Sequence, residues 1–446
     1  MLTTGTVFGG GHTREASLRL TWSFLGLILV ADQMLLPMFH AGPIPYKISY
    51  FVLGFWGLSW FTKHTSCDSA RFQNRDFLRF TTGMAVILGA GLVGELWLSA
   101  TQSVFSHVEA IRISLFYVLT MLAFGLGLQC VRLDLQWLIR VFYIAVVLTL
   151  LFIIFRSQLP EWLTGFYYPE SAYEGKARFG VTDLGSWMEL ARPRGLFGNP
   201  NVSAHMVNLL VLFIHLAVRN HLLTIKPTIS GVGIVALPII VAAMLATRGE
   251  FIVAVVLGIL NYRAIRSRSQ GRVQRKLNVR GVGVAILVVI VLVGIFVTVQ
   301  NNERIRQNID RIALLINIVS KSDAVDETVV GLSRYLLFIK VGAHDRFLSS
   351  PLFGTGFSSA SRYPFIEETR YYHNDWARLF VTSGLVGVFA MVLLLWRFAW
   401  PLGWPVLIPW VLPGLLNSFM LTIPAFLFYW FMLSVLRQKR RLANRL

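Results

Sequence analysis

The feature that most constrains this chain is a series of apolar runs, each near the length that crosses a bilayer. They cover roughly 19–39, 46–62, 80–100, 111–130, 137–155, 200–218, 229–247, 250–261, 281–299, 376–396, 402–416 and 419–436. About 20 apolar residues in a helix span the hydrocarbon core, and a helix satisfies its own backbone hydrogen bonds there. The runs therefore predict an all-α, polytopic transmembrane helix bundle of about 12 spans, one membrane domain over 1–446. Composition agrees: mean hydropathy is +0.62, with 55% hydrophobic and only 14% charged residues. That excludes a soluble enzyme carrying a single anchor. Pro401, Pro405, Pro409, Pro413 and Pro424 interrupt the last two spans, which are either kinked or a re-entrant hairpin; in both cases an even number of crossings puts both termini on one side.

The net charge of +19 raises the question of a nucleic-acid partner. Its distribution answers it. The N-terminus, 63–79, 131–140, 219–228, 262–280, Arg397 and the C-terminal tail fall on one side of the predicted topology. They hold 23 Lys+Arg and 4 Asp+Glu, and the rest of the chain holds 18 of each. The whole excess is thus a positive-inside bias, which orients the chain with both termini cytoplasmic and calls for no nucleic acid. The basic stretch from Arg263 to Arg280 and the tail from Arg437 to Arg441 suit anionic membrane lipids. Cys67 and Cys130 fall on the same side, where thiols stay reduced. Residues 1–18 are polar and precede an uncleaved first span.

Two larger segments lie on the opposite side. The outer loop 156–198 carries five basic and five acidic residues with Trp162, Phe166, Tyr167, Tyr168, Tyr173 and Trp187. This mixture suits sugar faces, and equally an aromatic belt at the interface. The loop runs into Ala191-Arg192-Pro-Arg194-Gly195-Leu-Phe-Gly198-Asn199-Pro200. Asn199 followed by Pro200 predicts a helix start, a capping side chain and then proline at the first helical position. Arg192 and Arg194 just before a helix N-terminus form an anion-attracting arrangement; the alternative is that they bind lipid headgroups. The large loop 300–372, between spans nine and ten, has nine basic and eight acidic residues. Apolar periodicity at 309–319 and 332–341 predicts short helices over the bundle. Gly331-Leu-Ser-Arg334 opens one of them, and Ser350-Pro-Leu-Phe-Gly354-Thr-Gly356 breaks into turns.

Inside the predicted spans, Asp32 and Glu95 should face the bundle interior, because charge is costly in lipid. Glu95 follows Gly91 and Gly94, which permit tight packing. His205 lies under two turns beyond Asn199, and His215 follows on the same span. Arg248-Gly249-Glu250 forms a very short connection, where Arg248 either holds an anion or snorkels beside Glu250. No His/Cys/Asp cluster has metal-ligand spacing, and no Asp-x-Asp pair is present, so neither a metal nor a cofactor is expected.

Arg370-Tyr-Tyr-His373-Asn374-Asp375-Trp-Ala-Arg378 closes the large loop and opens the next apolar run. With a helix starting at Asp375, the residues His373, Ala377, Phe380, Gly384 and Gly387 fall on one face. The glycines would let a neighbouring helix approach. His373 would stand at the rim of the bundle, where a neutral imidazole can accept a proton near pH 7; an interfacial structural histidine is the alternative.

His373-Asn374 followed by Gly384-x-x-Gly387 resembles the signature of bacterial O-antigen ligases and Wzy-type polysaccharide polymerases. The stretch Arg192 to Asn199, the hairpin Arg248-Gly249 and the turns before the histidine are similar to parts of the same superfamily. The resemblance implies an inner-membrane enzyme with its active site facing the periplasm. The donor would be an undecaprenyl-pyrophosphate-linked oligosaccharide and the acceptor a glycan hydroxyl. Arg192, Arg194 and Arg248 would hold the pyrophosphate, and His373 would serve as base. Asn199, Asn374, Arg378 and Arg334 would contact substrate. Transfer would be inverting and free of metal. A polymerase of repeat units is favoured by the Gly-Leu-Phe-Gly-Asn-Pro-Asn stretch and by His-Asn-Asp with Arg378, and such enzymes can work beside a chain-length regulator. A ligase acting on lipid A-core is the alternative. A different class, a transporter of lipid-linked sugar or another solute, would instead depend on Asp32, Glu95, His205 and His215.

Overall fold

The computed structural model describes residues 10–37, 39–41, 44–62, 69–102, 107–155, 160, 162–163, 166, 196, 200–225, 229–245, 247–269, 349–357, 375–413 and 423–444. Among them the chain is a bundle of helices. Those that precede the large loop are α1 (Gly10–Leu35), α2 (Ile48–Thr62), α3 (Ser69–Gln102), α4 (His107–Gln129), α5 (Gln136–Ile154), α6 (Pro200–Arg219), α7 (Ile229–Met244) and α8 (Arg248–Ser269). After it come α9 (Asp375–Leu394), α10 (Ile408–Val411) and α11 (Ile423–Ala443). Five described helical stretches are long and apolar enough to cross a membrane: 75–100, 110–129, 136–154, 201–219 and 375–402. This is the architecture of a membrane protein. The expected ninth span, 281–299, lies outside the described residues, as do most of the loops 156–198 and 300–372.

Two departures from a purely helical chain are physical. The connection between α1 and α2 contains a small antiparallel hairpin, β1 (Phe39–Ala41) paired with β2 (Ile44–Tyr46). The expected eleventh span is no continuous helix. Leu395–Ala399 forms a π turn, Trp400–Leu402 and Trp404–Leu407 form 3-10 turns, and α10 is four residues long. Pro401, Pro405 and Pro409 each remove a backbone donor, so the ladder cannot run on. This stretch still climbs through the bundle. Leu402 O accepts from Asn220 at the end of α6, while Trp410 O accepts from the Trp376 indole N–H at the start of α9 (2.9 Å).

Contacts fix the directions of the helices. Gly83 of α3 packs on Leu394, and Gly94 lies against Gly354, which in turn meets Val381 and Gly384; α3 and α9 are antiparallel. Phe116 meets Phe426, and Gly127 meets Ser434, so α4 and α11 are parallel. From Ala425 to Leu436 every residue of α11 is buried, which makes it the bundle's central helix. Phe80, Phe124 and Phe398 surround Trp430, with the Phe80 and Phe124 rings stacked at 3.8 Å.

Several of the described basic residues gather at one end of the bundle. There Asp76, buried at the start of α3, accepts from Arg437 (3.1 Å) and pairs with Arg441 (2.5 Å). Arg437 also donates to Arg397 O and lies over the Phe398 ring. Lys439 donates to Val131 O, and Arg219 lies against Gly403. Cys130, buried and free, sits at this end with its thiol on Trp22 O; burial raises its pKa well above the usual thiol range. The far end of α1 is closed by Lys47, which is fully buried and donates to the carbonyls of Asp32 (2.7 Å), Leu36 (2.7 Å) and Gln33 (3.4 Å). An ammonium there completes the open carbonyls and the negative pole of α1. Burial lowers its pKa to about 8, against the opposing pull of Asp32. Asp32 in turn accepts the Ser49 N–H at the opening of α2. Asp32 thus faces the interior as expected and serves a helix junction.

Candidate functional site

Arg219 and Leu402 lie at the basic end, so α6 opens at the opposite end, and α9, which runs toward Arg397, does the same. The opening of α8 joins them, because Glu250 in its first turn reaches His205, five residues into α6. Three helix N-termini, at Pro200, Arg248 and Asp375, therefore point to one end of the bundle. Each bears the partial positive charge of a helix dipole, so together they favour an anion.

The α6–α8 junction is the better-defined part. Glu250 is 1% exposed. One carboxylate oxygen lies 2.9 Å from His205 Nδ1, and the other accepts from Asn208 Nδ2 at 2.7 Å. The same Asn208 amide donates to the Glu250 carbonyl at 2.9 Å. His205 is therefore neither isolated nor in contact with lipid. Asn208 Oδ1 is buried without a hydrogen-bond partner among the described residues, and it requires a donor such as water.

The α9 side is organised by a loop that enters the bundle. Residues 349–357 lie between α3 and α9, and α9 is broken beside them. Gly384 has φ 60° and ψ −163°, so the helix is two pieces end to end. The loop supplies what the break removes. Leu385 N donates to Pro351 O (2.9 Å), Val386 N to Leu352 O (3.1 Å), and Val381 O accepts Thr355 N (2.7 Å). Irregular backbone inside a membrane bundle is tolerated only when its polar groups are satisfied in this way. Across the loop, a Cβ on Gly94 would stand 2.6 Å from Gly356 N and 2.8 Å from Gly354 O, and Gly91 receives the ring of Phe357. Gly354 and Gly356 adopt positive φ, 74° and 85°. Glu95, buried, borders Gly356, whose missing Cβ leaves room for its carboxylate.

Of the sequence candidates, Arg378 lies half-buried one turn into α9, within electrostatic reach of Tyr117 on α4. Arg248 opens α8, as expected of the hairpin. Arg192, Arg194, Asn199, Arg334, His373 and Asn374 lie outside the described residues; the chain enters α6 at Pro200 and α9 at Asp375, as the capping pattern predicts. The one-face helix through His373 and Gly387 is corrected, since the break at Gly384 resets the phase. The partner that approaches Gly384 is the 349–357 loop rather than another helix. Sequence reasoning missed Lys47, and it missed Asn208 and the His205–Glu250 pair. An acid inside a span needs a partner, and His205 and Asn208, three apart on one helix, could have been sought as one. No protein-family model, curated protein or solved structure matches the chain.

Proposed function

We infer that the chain transfers glycan from an undecaprenyl-pyrophosphate-linked donor to a sugar hydroxyl, at the periplasmic face of a bacterial inner membrane. The observation that carries this reading is the common placement of the openings of α6, α8 and α9 at the end opposite the basic one. Those openings follow Arg194, carry Arg248 and follow His373, the positions that resemble the ligase and polymerase superfamily. The positive-inside bias puts the basic end in the cytoplasm and the openings outside. Arginine forks and helix dipoles would stabilise the charge that grows on a diphosphate leaving group, so this chemistry requires no cation. His373 takes the proton of the acceptor hydroxyl, and direct attack inverts the anomeric carbon.

Within this chemistry the polymerisation of repeat units is favoured over ligation to lipid A-core. Purified protein in lipid, given a radiolabelled lipid-linked repeat unit and no other acceptor, tests it. A ladder of longer lipid-linked products establishes a polymerase. Transfer only after a lipid A-core acceptor is added makes it a ligase. No transfer under either condition overturns the reading, and movement of the donor across a vesicle membrane would then favour the transporter.

A further inference from the structure

We propose that the broken stretch between α9 and α10 seats an anionic phospholipid, its headgroup phosphate held by Arg219 and Arg440 and its acyl chains lying along Trp396 and Trp400. This site stands at the basic end of the bundle, opposite the openings of α6, α8 and α9, and takes no part in the transfer proposed above. Charge at this end does not balance within the protein. Asp76 is occupied by Arg437 and Arg441, and Arg397 lies within electrostatic reach of the same Arg437. Asp134 accepts from Gln136 N and lies within electrostatic reach of Lys439. Among the described residues no carboxylate pairs with Arg219, Arg397 or Arg440. The tail is therefore not a uniform lipid-facing run, since Arg437 is buried and bonded inside the bundle.

The break in the helix gathers the cations that are left. From α11, Arg440 donates to Pro401 O. From the end of α6, Arg219 brings its guanidinium carbon to 2.9 Å from the place of a Cβ on Gly403. Gly403 has φ 109° and no side chain to hold that guanidinium off. Two residues of chain separate the contacts, a span of about 7 Å or less. Arg219 is exposed, and its titratable neighbour His215, one turn back on α6, supplies no negative charge. Guanidiniums from two helices thus meet one turn and repel each other unless an anion joins them. Each offers a fork of N–H donors suited to phosphate oxygens. Closing a carbonyl opened by the break explains one donor of Arg440 and leaves Arg219 unexplained.

The surroundings favour a lipid over a soluble anion. Trp396, Trp400 and Trp404, four apart on the same stretch, are 66%, 52% and 49% exposed. Indoles of this kind settle at the level of the headgroups. Phe389 and Leu393, also exposed, continue the line along α9 at spacings of four and three from one another and from Trp396. A free phosphate would use only the arginines. A phospholipid uses both parts, phosphate at the turn and chains beside the aromatic line, and so braces the end of α6 against a stretch that has no regular ladder of its own.

Purified full-length protein in a neutral detergent is titrated with dioleoyl phosphatidylglycerol and, separately, with dioleoyl phosphatidylcholine, and bound lipid is counted by native mass spectrometry. Wild type should take up phosphatidylglycerol in clear preference. Arg219→Gln and Arg440→Gln should each weaken that binding about 5-fold, and the double variant about 30-fold. Arg140→Gln removes an arginine of α5 that lies over Trp137 and is exposed, and it should leave the binding nearly unchanged. Should the double variant fail to fold, Arg219→Gln alone decides, because that side chain is exposed. Equal uptake of the two lipids, unchanged binding by Arg219→Gln, or an equal loss in Arg140→Gln, which marks a diffuse field rather than a site, overturns the proposal. Thermal protection of wild type by inorganic phosphate equal to that by phosphatidylglycerol makes the occupant a soluble anion and overturns it as well. Glycan transfer enters none of these measurements, so each of these failures leaves the proposed function standing.

Discussion

Replacing Gly384 with alanine tests the account of the broken helix α9. At φ 60° and ψ −163° the backbone occupies a region open almost only to glycine, and an L residue there costs about 1–3 kcal/mol. The added Cβ also falls on the Leu352 carbonyl and the Gly354 nitrogen. Neither can withdraw cheaply, since Leu352 O holds Val386 N and Gly354 N is bonded to Ser350 O. Overpacking of this kind adds about 1–3 kcal/mol. The sum, roughly 2–6 kcal/mol, should appear as a clear fall in the unfolding temperature of the purified full-length protein, followed by tryptophan fluorescence. Gly89→Ala is the control. It lies in α3 with no atom within 4 Å of the added carbon, and helix propensity predicts a change of about 1 kcal/mol or less, toward stability. If Gly384→Ala melts with Gly89→Ala and wild type, the chain at 384 does not need glycine, and the account of the break is wrong.

The buried Asp76 grips Arg437 and Arg441 at 3.1 and 2.5 Å; Arg437→Leu, which leaves that carboxylate short of its buried partner, should cost about 3–5 kcal/mol, and much of this should return in the double variant with Asp76→Leu, read by the same unfolding assay. Lys47, with its pKa lowered to about 8, binds its proton more weakly in the folded state than in the unfolded one. The unfolded chain therefore holds more protons between about pH 8 and pH 10.5. The stability of wild type relative to Lys47→Met should thus rise across that window and stay level below it, and a flat or falling difference would contradict the buried-ammonium account. His373→Ala should abolish glycan transfer while the protein still purifies as a folded species; full product from that variant would remove the proposed base.

Helix starts were legible because their chemistry is local. Asn199-Pro200 and Asp375 mark the openings of α6 and α9 by residue preferences confined to one turn of the chain. The tight packing beside Glu95 was legible too, since Gly91 and Gly94 can serve little else. The break in α9 was not. Gly384 and Gly387 stand at helical spacing in an apolar run, a pattern shared by an unbroken helix packed on a neighbour. What distinguishes the two is the 349–357 loop, whose Pro351, Gly354 and Gly356 announce turns but not the partner they fit. The eleventh span was legible in part: its prolines announce an interrupted helix, which the structure shows as short turns, but they do not say whether the stretch is kinked or re-entrant. At the α6–α8 junction the sequence showed Glu250 beside Arg248, and local proximity suggested that pair. The partners of the carboxylate stand more than 40 positions upstream on a parallel helix, where neighbourhood in the chain says nothing.

The central place of α11 has a bearing on assembly. The ribosome delivers this helix after all the others described, yet Phe116 and Tyr117 of α4, Phe213 of α6 and the Asp76 carboxylate of α3 all take partners from it. The pairing of Asp76 with Arg437 joins positions 361 residues apart. Until those last residues emerge, the earlier helices surround an unfilled axis, and the acid of α3 lacks these cationic partners. The bundle is thus closed from the inside by the last of its described helices, and a nascent chain halted before Ile423 should be held in the membrane as an open intermediate, sensitive to proteases that spare the full-length protein.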